Sequence, residues 1–338
     1  MEKKISIKDI ANKANVSTAA VSYVLNGQEN RVGPEMAKRI KSIAQKLNYR
    51  PHYIAKSLKT RKTNTIGLVV ANISYRFTTG ITSAIEAEAK KHNYTVLIGS
   101  SDEELPRFKE LVNVLVDRQV DGLILLPVED AEEEIKILNK SGVPFVLMDR
   151  YFPAINTNFI ALDNYRASYD AVEYLQKLGH THVAFINYKT TMFHLLERGR
   201  GFTDALKKCK LPAGIKWNKK IRRETFDEDI KKSIDQLLAE PYTKLAIIFG
   251  TDTLAIKGIH YLSALKKSIP EDISVLSFDE SEAFELYKCP VSHGRQPLEE
   301  MGRLSVQTLL DIMDNGKVNR QVLLKSGFVP GLSCGEPS

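Results

Sequence analysis

Three short apolar runs in this 338-residue chain end on charged side chains: Asp149 and Arg150 follow PFVLM, Asp252 follows LAIIFGT, and Asp279 with Glu280 follows SVLSF. Arg198 lies in the run ERGRGF. Brought to one cleft, such carboxylates and a guanidinium suit a polyhydroxylated ligand, because each accepts or gives two directed hydrogen bonds to vicinal hydroxyls. An aspartate at the end of a strand is also a common helix N-cap. For Asp252 and Asp163, each just before a helical stretch, that reading has equal standing.

The same groups bear on catalysis and metal binding. Two carboxylates in a cleft could do acid–base work, so an α/β sugar-processing enzyme is the rival from another class. No catalytic motif supports it: no G-x-G-x-x-G follows the first strand, and neither a G-x-S-x-G elbow nor a phosphate loop ending in Gly-Lys-Ser/Thr is found. His180 and His182 have a metal-like spacing, but they precede a strand and lack a third ligand nearby. No metal, cofactor or catalytic residue is expected. Cys209, Cys289 and Cys334 are odd in number, far apart and without metal-ligand spacing, and read as free thiols.

The elements that would position the strand-end groups alternate. From Thr63 the chain runs TIGLVVA, a helix over about 77–92, then TVLIG, and the rhythm continues through GLILLP, PFVLMD, HVAFI, LAIIFG and SVLSFD. Strand-length apolar runs separated by helix-period sequence predict parallel sheets covered by helices. The runs fall into groups before and after about Asp163, which predicts two doubly wound subdomains with a cleft at the carboxyl ends of their strands.

Charge sets the N-terminal end apart. Met1 to Asn64 holds 14 lysines and arginines against 4 acids, a net +10, which leaves 34 basic and 37 acidic residues, a net −3, in the rest. A basic head on a near-neutral body attracts a polyanion, usually nucleic acid, although a solvated basic face has the same composition. Within SIKDIANKANVSTAAVSYVLN, Ile7, Ile10, Ala11 and Ala14 precede a break at Asn15, and Val16, Val21, Val24 and Leu25 follow it. Two short helices fit, capped by Ser6 and Ser17, with Asn15 in the turn. Gly33 and Pro34 open a third helix with Ile40, Ile43, Ala44 and Leu47 on its apolar stripe. A helix, a tight turn and a second helix exposing Thr18, Ala19, Ser22 and Tyr23 is the arrangement that lays a recognition helix in the major groove. A generic helical hairpin has the same local signals.

IKDIANKANVSTAAVSYVLNG and then RPHYIAKSLKTRKTNTIGLVV resemble the head, hinge and first strand of the lactose-repressor type (LacI/GalR) regulators, and the likeness runs almost to the C-terminus. The resemblance implies an α/β chain with an N-terminal three-helix helix-turn-helix DNA-binding domain at 1–49 and a hinge helix and linker at 50–63. These join a periplasmic-binding-protein-like body of two doubly wound parallel-sheet subdomains at 64–338, which binds effector and dimerises, with chain crossings that give an N-subdomain of about 64–162 and 292–320 and a C-subdomain of about 163–291 and 321–338. It implies that Thr18, Ala19 and Tyr23 face base edges, that Ser6, Ser17, Ser22 and Asn26 mostly hold phosphates, and that Leu58 is the wedge driven into a minor-groove step. Lys8 and Lys59 complete the DNA-contact candidates. For the effector it implies Arg198 with Gly201 and Phe202, then Asp252, Asp279 and Arg150, with Phe77 and Phe226 as rings against the ligand; buried core phenylalanines are the other reading of those two. With Asp149, these are the effector candidates.

The chain departs from the family pattern at several positions. Tyr23 stands where arginine is usual, so the arginine–guanine pairing is unavailable there. Tyr75, Arg76, Phe77 and Thr78 replace Asn-Pro-Phe-Phe, Thr251 replaces an asparagine, and Gly294 replaces an apolar residue. The effector is therefore expected to be carbohydrate-like but not identifiable from the sequence.

The whole reading predicts a DNA-binding transcription regulator, a repressor, bound as a homodimer to a palindromic operator. A small-molecule effector would switch it by changing the angle between subdomains and so the hinge-helix spacing. A protein co-regulator acting on the same body is the alternative within the class. No apolar run follows the basic start and no stretch reaches the roughly 18 uninterrupted apolar residues of a membrane span, so a cytoplasmic protein without a membrane partner is expected. After Gly316 there is one strand-like run, Val322 to Lys325, and no heptad pattern to join dimers into tetramers.

Overall fold

The structure, a computed structural model, describes residues 5–49, 62–316 and 318–335. The chain divides into two compact units, Met1–Thr63 and Asn64–Ser338.

In the first unit, helices α1 (Ile7–Ala14), α2 (Thr18–Leu25) and α3 (Pro34–Lys46) enclose one small core. The Asp9 carboxylate accepts from the Ser6 backbone N–H at 2.8 Å and from its hydroxyl at 2.6 Å, fastening the start of α1. Asn15 ends α1 in the left-handed region with φ 53°, and the Ser17 hydroxyl accepts from the Ala20 N–H at 3.2 Å. The turn is therefore only a few residues long, so Ile10, Ala11 and Ala14 meet Val21 and Val24. Ile40 and Ala44 of α3, entered through Gly33 and Pro34, close the same cluster.

The second unit alternates strands and helices: β1 (Thr65–Val70), α4 (Arg76–Lys91), β2 (Thr95–Ser100), α5 (Leu105–Asp117), β3 (Gly122–Leu125), α6 (Glu132–Ser141), β4 (Phe145–Met148) and β5 (Phe159–Leu162). Next come α7 (Asn164–Lys177), β6 (His182–Tyr188), α8 (Phe193–Lys208), β7 (Asn218–Ile221), α9 (Phe226–Leu238), β8 (Leu245–Phe249), α10 (Asp252–Ala264), β9 (Ser274–Ser277) and α11 (Ala283–Leu286). The last elements are β10 (Ser292–Arg295), α12 (Leu298–Asn315), β11 (Gln321–Leu324) and β12 (Gly327–Val329). Among the described residues the strands form two six-stranded sheets, ordered β11-β5-β4-β3-β1-β2 and β12-β10-β9-β8-β6-β7. Every pairing is parallel except β10 with β12. The central strands β3, β4, β5, β8 and β9 are buried throughout, as expected of strands covered on both faces. β7, reading NKKI, is an edge strand whose polar composition hides it from an apolar-run search.

The chain passes between sheets three times: after β5, between β10 and α12, and between β11 and β12. Two strands lie opposite to expectation. β10, expected in the N-subdomain, pairs with β9 in the second sheet, with Ser292 opposite Leu276. β11, expected in the C-subdomain, extends the first sheet beside β5, with Gln321 opposite Phe159. A strand of four residues carries no sequence mark of which sheet it joins, so both were misplaced. A Cβ on Gly294, in β10, would stand 2.4 Å from the Phe278 carbonyl oxygen, which accounts for glycine where an apolar residue was expected. No helix among the described residues is long and apolar enough to cross a membrane.

Candidate functional site

The first unit presents a polar face on α2. Thr18 and Ala19 are exposed, Ser22 and Tyr23 are half-buried, and Val21 and Val24 point into the core. The Arg31 guanidinium lies over the Tyr23 ring, 5.0 Å from its centroid, so a cation accompanies the position where arginine was missing from the family pattern. The Asn26 side chain donates to the Ser22 carbonyl oxygen at 2.8 Å and to its hydroxyl at 3.2 Å. Ser6 and Ser17 both serve as helix caps, and Lys8 is exposed on α1. Leu58 and Lys59 lie outside the described residues.

The second unit holds a cavity of about 410 Å³ at the carboxyl ends of the strands of both sheets. Phe77, Asp149, Arg150, Arg198, Asp252 and Asp279 all line it. Phe226 does not: it begins α9 and stacks behind Tyr188, with centroids 6.0 Å apart, and Tyr188 presents its ring to the cavity instead. The aromatic position was assigned one layer too deep.

Arg198 is the centre of the C-subdomain half. It is 3% exposed; its Nε donates to Asn164 Oδ1 at 2.8 Å, and one terminal nitrogen donates to the Gly250 carbonyl oxygen at 2.5 Å and to Asp279 Oδ2 at 3.4 Å. Its guanidinium also packs on the Phe278 ring, 3.6 Å from the centroid. The spacing Arg198, Gly201, Phe202 follows from helix packing. A Cβ on Gly201 would stand 2.1 Å from the Tyr165 carbonyl oxygen, so glycine lets α8 press on α7, which carries Asn164. Phe202 stacks on Phe185 in the core at 5.1 Å, and Arg198, one turn back, is aimed at the cleft. Asp279 also accepts from Gln296 Nε2 at 2.7 Å.

Asp252 and Asp163 part company. Asp163 caps α7 by accepting from the Arg166 N–H at 2.9 Å. Thr251, not Asp252, caps α10, its hydroxyl accepting from the Leu254 N–H at 3.3 Å. Asp252 is left to face the cavity, accepting only from the neighbouring Thr253 N–H at 2.8 Å and hydroxyl at 3.3 Å among the bonds formed by the described residues. Burial pushes its carboxyl up to about 6, with the Asp279 charge adding to the effect.

In the N-subdomain half, Arg150 makes a two-pronged pair with Glu103 at 2.8 and 2.7 Å. Asp149 sits in the left-handed region with φ 64°, a conformation uncommon for a residue with a side chain and often kept at functional sites. Burial raises its carboxyl to about 6 as well. His194, buried and surrounded by three guanidinium groups, is held well below the usual histidine range by desolvation first and their charge second. Among the described residues, Asp149 Oδ1, Arg150 Nε, His194 Nδ1 and Gln296 Oε1 are buried in this cavity without a hydrogen-bond partner. Buried polar atoms of this kind are suited to meeting a polar partner.

The two halves touch across the cleft. Arg76 of α4 reaches Glu282 at 2.5 Å, and Arg223 reaches the Tyr75 hydroxyl at 3.4 Å and Glu103 at 3.7 Å. Glu129 accepts from the Thr190 hydroxyl at 2.9 Å and from the Thr191 N–H and hydroxyl at 2.5 and 2.8 Å. Glu103, Tyr188, His194, Arg223 and Gln296 were not singled out from the sequence; Gln296 lies two residues beyond Gly294, and the others follow no motif.

Residues 6–52 match the family described as bacterial regulatory proteins, lacI family, and residues 172–334 match the periplasmic binding protein-like domain. The ribose operon repressor of Haemophilus influenzae is 30% identical over 320 residues, covering 94% of this chain and 95% of the relative. Catabolite control protein A of Priestia megaterium is 28% identical over 322 residues, covering 94% and 96%. The lac repressor dimer bound to operator and the anti-inducer ONPF has the same fold, with a TM-score of 0.86 at 22% identity, covering 98% of this chain and 99% of that one. With a helix-turn-helix head, a cleft between two parallel-sheet subdomains and this likeness along nearly its whole length, the chain belongs to the lacI family of bacterial regulatory proteins and is a DNA-binding transcriptional regulator controlled by a small-molecule effector.

Proposed function

We propose that the chain is a cytoplasmic repressor that binds a palindromic operator as a homodimer and takes a sugar or sugar derivative in its cleft. One observation carries the effector reading: Asp149, Arg150, His194 and Gln296 bury polar atoms without partners in a cavity of about 410 Å³ that Arg198, Asp252 and Asp279 also line. A polyhydroxylated ring supplies several directed donors and acceptors at once, and the faces of Phe77 and Tyr188 suit its C–H surface. The relative named as a ribose operon repressor points the same way.

On the DNA side, Thr18, Ala19 and Tyr23 read base edges from α2, while Ser6, Lys8, Ser17, Ser22, Asn26 and Lys59 hold phosphates. Leu58 wedges a central base step and kinks the duplex. Residues 1–49, 50–63 and 64–338 act as head, hinge and effector-binding body. The cross-cleft contacts of Arg76, Arg223 and Glu129 hold the subdomain angle, and an effector that changes this angle changes hinge spacing. The test is selection of bound duplexes from a random DNA pool by the full-length chain, with and without a panel of pentoses, hexoses and disaccharides. A palindrome whose recovery changes when one sugar is present supports the reading. Enrichment of no sequence under any condition contradicts it.

A further inference from the structure

The cleft is unusual in which of its charges are already used. Each guanidinium that lines it has an acid or carbonyl on it: Arg150 is clamped by Glu103, Arg198 is held by Asn164, Gly250 and Asp279, Arg76 pairs with Glu282, and Arg223 leans on Glu103 and the Tyr188 ring. No lysine lines the cavity among the described residues. The carboxylates are not matched in return. Asp149 Oδ1 is buried without a hydrogen bond, and Asp252 is bonded only by its own neighbour Thr253. Gln296 Oε1 adds a further orphaned acceptor, against Arg150 Nε as the one orphaned group that can only donate.

We propose, resting on the sugar-effector reading above, that this cleft selects a hydroxyl-rich ligand carrying no anionic group, so that a phosphorylated or carboxylated sugar is rejected. Hydroxyl groups donate to Asp149, Asp252 and Gln296, which are the unmet acceptors. Apart from Arg150 Nε, the single buried guanidinium donor left free among the described residues, an anion gains a guanidinium here only by displacing the acid or carbonyl already on it. Taking Arg150 from Glu103, for instance, strands the Glu103 carboxylate in a site that water reaches poorly. The anion also enters beside two carboxylates with no cation directly on them. Specificity in this form comes from leaving the wrong ligand's charge without a partner.

The test is calorimetric titration of the full-length chain with neutral sugars (ribose, glucose, galactose, fructose, cellobiose and trehalose) and with the phosphate ester of each that binds. The expected result is that a neutral sugar binds and its ester binds at least tenfold more weakly. An ester that binds as tightly as its parent sugar, or more tightly, overturns the proposal while leaving the sugar-effector reading standing. Binding of no member of either set overturns both. Glu103→Gln supplies a second readout, with a thermal unfolding scan to show that the variant folds. Releasing Arg150 from its carboxylate is expected to narrow the ester's disadvantage at least fivefold. A folded variant with an unchanged ratio shows that charge pairing does not set the selectivity and overturns the proposal.

Discussion

The two binding surfaces of this chain are built on opposite electrostatics. Up to Asn64 there are 14 basic residues against 4 acids, a net charge that draws a polyanion, and Thr18 and Ala19 of α2 are exposed. In the cleft the guanidinium groups are held by internal partners, and among the described residues Asp149 Oδ1 and Gln296 Oε1 are buried acceptors without a hydrogen bond, against Arg150 Nε as a donor without one. A surface for DNA gains from cations that stay solvated until phosphates release their counterions. A cleft for a small ligand gains from groups fixed in place before the ligand arrives, and pairing fixes them. Substitutions in the two regions should therefore fail in different ways.

The largest effect is expected at Arg198. Replacement by methionine leaves Asn164, the Gly250 carbonyl and Asp279 without their shared donor, and breaking a buried charged network of this kind costs about 3–5 kcal/mol. Chemical denaturation of the variant against the parent measures it, and a loss below about 1 kcal/mol would show the network to be dispensable. At the head, Tyr23→Ala is expected to cost about 1–3 kcal/mol at one operator position and to leave the others unchanged. Selected sequences from parent and variant compare these directly, and a uniform loss across all sequences would move Tyr23 from base reading to phosphate holding.

The pH dependence bears on the cleft, because the two carboxyls raised to about 6 both line it. The raised carboxyls of Asp149 and Asp252 hold protons in the folded chain that the unfolded chain has released, so their ionisation lowers stability as pH rises from about 4 through about 6. Asp149→Asn should flatten that part of a thermal midpoint profile. A ligand whose hydroxyls donate to these groups favours their ionised forms, so effector affinity should rise with pH through about 6 with release of protons, as titration in buffers of different ionisation enthalpy would read. Affinity that falls over this range would assign the carboxyls a donor role instead. Removing the cap at Ser17 with alanine should cost about 1 kcal/mol, confined to the head. The smallest change is Lys8→Ala, expected to reduce the salt slope of operator binding by about 1 while leaving sequence preference untouched.

The head was legible because its signals are local. The caps at Ser6 and Ser17, the left-handed Asn15 and the Gly33-Pro34 opening each act within four residues, and each lies where the pattern predicted. In the body, the buried strands read as continuous apolar runs, but β7, β10 and β11 are short strands, β7 and β11 at sheet edges, whose partners are fixed by tertiary contacts. The cleft was legible where a charged residue ended such a run, as at Asp149, Asp252 and Asp279. It was illegible where a residue reached it from elsewhere: Glu103 and Arg223 become site residues only when the two sheets face each other. Phe226 was misassigned because sequence spacing cannot tell a ring at the surface of a cleft from the ring stacked behind it.

Coupling between cleft and head is what makes the chain a regulator. It is tested most directly by measuring operator affinity of the full-length chain at fixed salt, with and without a sugar found to bind, for the parent and for Arg198→Met. A change of about 5- to 150-fold is expected in the parent, the usual range of allosteric coupling, and little or none in the variant. A parent whose operator affinity is unmoved by a sugar that saturates its cleft would contradict it.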